Sequence, residues 1–157
     1  MNPFERIAPA EHTETAEGRS LLKQLEATGK YIFHGSDIGH IEKFELRQPV
    51  NWKNGEPVNH GEKSIVGTND ADVSIFRALA REDWTSFNPS GGSLGASKAS
   101  IHAAEKSRGF VYVFNKDDFE SFEGEWRSYK PLTPLKVISV SGNDLPPWIQ
   151  VIHGNLR

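Results

Sequence analysis

The sequence predicts an α+β domain, and three observations carry that reading. The strongest strand signal, Phe110-Val111-Tyr112-Val113-Phe114, stands after the helical patterns. The apolar runs that follow it are short and are parted by Pro131, Pro134, Pro146 and Pro147. The order is helix, strand, long loop, strand, helix, loop, helix, then a run of strands. It lacks the regular strand–helix alternation of a parallel sheet.

Residues 1–13 carry little pattern and are expected to form an N-terminal arm; residues 14–157 are read as a single domain. Leu21, Leu22 and Leu25 make an apolar stripe on a helix over 14–28, with Gly29 as its stop. Lys30 to His34 is an aromatic and β-branched strand. The stretch 37–63 reads as long and irregular, anchored by Phe44, Leu46 and Trp52 and turned by Pro49, Asn54-Gly55 and Pro57. Ser64 to Thr68 is a second strand. Asn69 is the expected cap of the next helix, where Val73, Phe76, Leu79 and Ala80 share a face as far as about Arg81. Residues 85–97 are rich in Gly and Ser and are expected to form a mobile lid. A helix over 97–107, stopped by Gly109, precedes the strong strand. Asn115 to Phe122 is a short acidic turn, and Trp126–Tyr129, Leu135–Val140 and Trp148–Ile152 complete the strands. Phe33, Ile65, Phe76, Val111, Val113 and Val137 are the expected core.

The 157 residues suit one domain, which at this size buries roughly two-thirds of its unfolded surface. There is no cysteine, hence no disulfide and no thiolate metal site, which suits a reducing cytoplasm. No apolar run approaches the ~20 residues of a membrane span, and residues 1–19 lack the layout of a secretory signal. The net charge of −3 disfavours bulk binding to nucleic acid. Lys98, His102, Lys106 and Arg108 cluster, but Glu105 interrupts them, and they read as a solvated helix face. The six histidines include no i, i+4 pair of the kind that holds zinc, so no metal site is expected. Neither a Gly-x-Gly-x-x-Gly fingerprint nor a phosphate-cradling loop ending in Lys-Ser/Thr is present.

The distinctive local feature is His34-Gly35-Ser36 at the end of a hydrophobic strand. Histidine there can donate or accept a hydrogen bond, and glycine lets a ligand approach the backbone. A strand end with a structurally satisfied histidine is the plainer alternative. Four blocks in order widen the view: Tyr31-Ile32-Phe33-His34-Gly35-Ser36; Ile65-Val66-Gly67-Thr68-Asn69-Asp70 with the helix after it; Gly109 to Phe114; and Trp126-Arg127-Ser128-Tyr129-Lys130 with Pro134-Leu135-Lys136-Val137-Ile138. Together, over roughly residues 30–140, they resemble the ADP-ribosyltransferase superfamily, in particular small bacterial members such as the rifamycin-modifying ADP-ribosyltransferases.

That resemblance implies a split pair of small β-sheets around a cleft for NAD, which is a substrate. It assigns an adenine-side ribose hydroxyl to His34 and the nicotinamide carboxamide to the backbone of Gly35, with Ser36 or Thr68 assisting. It implies a late acid, for which Glu125 is first choice and Glu123 second, among Asp117, Asp118 and Glu120. Arg127 is a candidate for the pyrophosphate, since a guanidinium fits phosphate, or a brace for the sheet. Val66 stands where an aromatic often stacks on nicotinamide; Phe76, Trp84 or Tyr129 are the substitutes on offer. A fixed carboxylate suits this chemistry because breaking the nicotinamide–ribose bond leaves oxocarbenium-like charge on the sugar. The acceptor, whether water, protein, nucleic acid or small molecule, is not legible. The implied enzyme is a modifying transferase or toxin; the alternatives are RNA 2′-phosphate transfer to NAD and an inactive nucleotide- or protein-binding module of the same fold.

Overall fold

The computed structural model describes residues 17–80, 84–85, 95–146 and 149–151. In chain order the elements are α1 (Glu17–Ala27), β1 (Tyr31–Ser36), β2 (Val50–Lys53), β3 (Glu56–Asn59), β4 (Ile65–Gly67) and α2 (Ala71–Leu79). They continue with β5 (Trp84–Thr85), β6 (Gly95–Ala96), α3 (Lys98–Glu105), β7 (Arg108–Asn115), β8 (Glu120–Phe122), β9 (Glu125–Ser128), β10 (Lys136–Ser141) and β11 (Gln150–Val151). This is an α+β fold: the described strands pair antiparallel except β6 with β11. No described helix is long and apolar enough to cross a membrane.

The apolar run of β7 makes it the centre of the main sheet, ordered β1-β7-β10. Strand alternation gives this sheet two buried faces. On one, Phe33, Val111, Val113, Ile138 and Val140 pack with Leu22 and Leu25 of α1 and Val73, Phe76 and Leu79 of α2. On the other, Ile32, Tyr112 and Phe114 pack with Phe44, Ile65, Phe119 and Leu132. The second sheet, β4-β9-β8, lies on this latter side and contributes Ile65 to that layer.

Helix α2 is buried on nearly every side, including Asp72 and Ser74. Asp72 is tolerable there because Arg19 of α1 grips it with two bonds, Nε to Oδ1 at 2.8 Å and Nη2 to Oδ2 at 3.1 Å. Two glycines bring the main sheet close to this helix. A Cβ on Gly35 would run into the Ser74 carbonyl oxygen and sit 2.8 Å from the Ala78 nitrogen; one on Gly109 would sit 2.5 Å from the Ala78 oxygen.

Several expectations are corrected. Val137 is 37% exposed, because β10 turns Ile138 and Val140 toward the helices and Val137 to the opposite face. Asp70, rather than Asn69, caps α2: its side chain accepts from the backbone N–H groups of Asp72 and Val73. Gly109 does not stop α3; it lies inside β7 against Ala78. The stretch 37–63 contains the hairpin β2–β3, turned by Asn54 and Gly55 at φ 52° and 79°, the left-handed pair of a two-residue loop. Residues 120–122 form β8 rather than part of a turn. The arm over 1–13 and most of the lid, 86–94, lie outside the described residues; of the lid's described residues, Thr85 lies in β5, Gly95 and Ala96 form β6, and Ser97 caps α3.

Candidate functional site

Among the described residues one backbone bridge joins the two sheets. Phe33 and Thr68 exchange backbone hydrogen bonds of 2.7 and 2.9 Å. Continuing that antiparallel register would set Gly35 opposite Val66. Instead the His34 ring enters, with Nδ1 2.7 Å from the Val66 carbonyl oxygen. Backbone groups alternate sides along a strand. Since those of Phe33 face Thr68, those of Gly35 face the same way, into the split where β1 and β4 part.

A carbonyl oxygen only accepts, so His34 Nδ1 carries the proton and the neutral ring keeps a lone pair on Nε2. Burial pushes the His34 pKa below its usual range; Arg77 and Arg47 add to this, against the Val66 bond. The neutral tautomer is therefore the resting form at pH 7. Phe44 packs edge-on to the ring, with centroids 5.1 Å apart.

The neighbouring hydroxyls serve turns. Ser36 Oγ accepts from the Ile38 N–H at 3.1 Å, and Thr68 Oγ1 accepts from the Asp70 N–H at 3.1 Å. Gly35 is required by α2 on its Cα side, yet its N–H and C=O remain on the split side.

Strand β9 brings in the acid. Gly67 pairs with Trp126, so Glu125 follows beside Thr68. Its Oε2 lies 3.3 Å from Arg127 Nη2 and its Oε1 3.9 Å from Arg77 Nη2. Arg127 is 1% exposed; Nη1 donates to the His60 carbonyl oxygen at 2.7 Å, and the guanidinium lies over the Phe122 ring at 4.1 Å. Burial lowers the Arg77 pKa, and Glu125 only partly opposes this.

His34 and the Gly35 backbone thus stand where β1 leaves β4, while Glu125 follows the β4–β9 register on the Thr68 side, beside Arg127 and Arg77. Glu123 is elsewhere. It occupies the β8–β9 turn at φ 47° and pairs with His60 Nε2 at 3.0 Å. Tyr129 follows β9 and is half-buried. Phe76 is fully buried in the helix-side core and presents no face to the split. The side chain of Trp84 lies outside the described residues. Lys98, His102, Lys106 and Arg108 are exposed.

Arg47, Arg77 and His60 were not among the expected site residues. The available signal was Arg77, the one cation within α2. The chain also reads Gly91-Gly92-Ser93-Leu94-Gly95, the spacing of a hydrolase nucleophile elbow. Ser93 lies outside the described residues, and Gly95-Ala96 after it is a strand. Among the described residues no group of three or more His, Asp or Glu side chains could hold a metal ion.

A cavity of about 300 Å³ opens at the other end of β1, lined by Glu26, Gly29, Tyr31, Asn69, Asp70 and Lys116. Its acids are already employed in structure: Glu26 Oε2 accepts from the Ala71 N–H at 2.7 Å, and Asp70 caps α2. The His34 split has the stronger chemistry. No family model, curated protein or solved structure matches this chain.

Proposed function

We propose that the chain binds NAD in the split beside His34 and cleaves its nicotinamide–ribose bond, as an ADP-ribosyltransferase-like enzyme. In this reading the two sheets are the halves of a split β-core. The observation that carries it is the His34–Val66 hydrogen bond. It parts β1 from β4, leaves the Gly35 amide pointing into the gap, and fixes a histidine tautomer whose Nε2 accepts a bond from a ribose hydroxyl. The Gly35 N–H and C=O complement a carboxamide, which has one acceptor and one donor group. Glu125, next to Thr68, stabilises the oxocarbenium-like charge once nicotinamide leaves. Ser36 and Thr68 flank the carboxamide, Arg127 is a candidate for the pyrophosphate, and half-buried Tyr129 for stacking.

The test is nicotinamide release on incubation with NAD. Glu125→Ala should lower it by at least about a hundredfold, the scale of one lost electrostatic stabiliser. His34→Ala should mainly weaken NAD binding. Absence of both NAD binding at millimolar concentration and nicotinamide release overturns the reading. One observation favours an inactive binding module instead: Glu125 is engaged by two arginines. NAD binding without nicotinamide release would select that alternative.

A further inference from the structure

We propose that the guanidinium groups of Arg77 and Arg127 form an oxyanion site that Glu125 occupies in this structure, and that inorganic phosphate binds there by displacing the carboxylate. Arg127 is a cation with 1% of its side chain exposed. Such a buried charge is costly unless paired and fully hydrogen-bonded. Its Nε is buried and has no hydrogen-bond partner among the described residues. Of its other two nitrogens, Nη1 goes to a neutral carbonyl. The anion it does have is Glu125, at 3.3 Å, while good charge-assisted N–H···O bonds run about 2.7–2.9 Å. The contact of Glu125 with Arg77 is longer still, at 3.9 Å.

The carboxylate therefore lies between two guanidiniums, beyond the usual charge-assisted hydrogen-bond distance from each. It also remains 28% exposed, so it can turn to solvent without crossing the core. Arg127 and Glu125 lie two residues apart on β9 and so on one face, and Arg77 reaches the same carboxylate from α2. A tetrahedral dianion offers more oxygens and more charge than one carboxylate and suits two forked donors. Displacement would free Glu125 beside Thr68. That catalytic consequence rests on the functional reading above; the anion site itself does not.

The experiment is calorimetric titration of the full chain with inorganic phosphate in a chloride buffer of fixed ionic strength. Three proteins are compared: wild type, Glu125→Gln, and Glu125→Gln with Arg77→Gln. Removing the competing charge should tighten phosphate binding at least about tenfold, the weight of roughly one charge-assisted hydrogen bond. The added Arg77→Gln should abolish that gain. Equal affinity in wild type and Glu125→Gln overturns the proposal, as does a gain that survives Arg77→Gln. Thermal unfolding of the wild type gives a second measurement, independent of the Glu125 variant's folding. Excluded phosphate stabilises any fold somewhat, so the midpoint should rise more in the wild type than in Arg77→Gln; an equal rise in both counts against the site. The two readings fail separately: tighter phosphate binding without NAD cleavage sinks only the enzyme, and cleavage without a phosphate gain sinks only the anion site.

Discussion

Replacing Gly35 by alanine separates two reasons for a glycine at this position. The added methyl would meet the Ser74 carbonyl oxygen and stand 2.8 Å from the Ala78 nitrogen. Both are backbone atoms of a helix buried along its length, so neither can rotate away. Overpacking a filled core costs about 1–3 kcal/mol, and rigid obstacles place this case at the upper end. Alanine's lower unfolded-state entropy offsets about 0.4–1 kcal/mol, leaving roughly 2 kcal/mol of destabilisation. With a urea slope near 2 kcal/mol/M, the unfolding midpoint should fall by about 1 M. Gly109→Ala presses on Ala78 of the same helix, so the double variant should lose less than the two single losses combined. Equilibrium urea unfolding followed by circular dichroism measures all three. A Gly35→Ala protein with the wild-type midpoint would refute the close approach of β1 and α2. If it also lost NAD binding, the glycine would belong to the ligand alone.

Other outcomes follow from the same contacts. His34 is neutral in the fold with its pKa lowered by burial, so below about 6.5 the unfolded chain binds more protons and stability falls as pH falls; His34→Gln should flatten this slope in thermal melts between pH 7.5 and 5.5. Asp70→Ala should cost about 1 kcal/mol through the lost cap. Asp70→Asn should be near neutral, because burial and the charges of Glu26 and Asp72 already raise the Asp70 pKa; a loss equal to that of alanine would refute the argument. Glu123→Gly should relieve the left-handed backbone and break the His60 pair at once, leaving nicotinamide release unchanged if Glu125 is the acid; abolished turnover would transfer that role to Glu123.

The main sheet and α2 were legible because their sequences are internally consistent. Phe110 to Phe114 is short, aromatic and β-branched, the composition of a buried strand, and Val73, Phe76 and Leu79 recur at helical spacing. The errors fall where two signals compete. In Leu135 to Val140 the apolar residues Val137 and Ile138 are adjacent, so alternation alone gives either face. Pairing with β7 decides: Ile138 stands opposite Val111, which faces the helices. At Asn69-Asp70 both residues can cap, and the Thr68 hydroxyl bound to the Asp70 N–H favours the second. The hairpin was hidden by Pro57, which argues against a strand, yet a two-stranded hairpin has an outer edge where a missing N–H costs no ladder bond.

The candidate site was legible as a motif but not as an electrostatic arrangement. The spacing of His34-Gly35-Ser36 says nothing of Val66, whose carbonyl fixes the histidine proton, because that contact depends on where two sheets separate. It says nothing of Arg77 either, since an arginine in a helix reads as surface until both sides of the helix are known to be covered. The glycine shows the deeper difficulty. Its Cα serves the helix and its amide faces the split, so one residue answers to both packing and ligand approach. A loss of function in Gly35→Ala therefore cannot by itself assign the site. Glu125 is the better probe because it is more than a quarter exposed, but it is also the anion beside buried Arg127, so its variants need unfolding midpoints measured alongside. His34, half-buried with Phe44 against its ring, also serves the packing. If Glu125→Gln both folds like the wild type and alters anion binding, the charge at that position acts on a ligand and not on the fold.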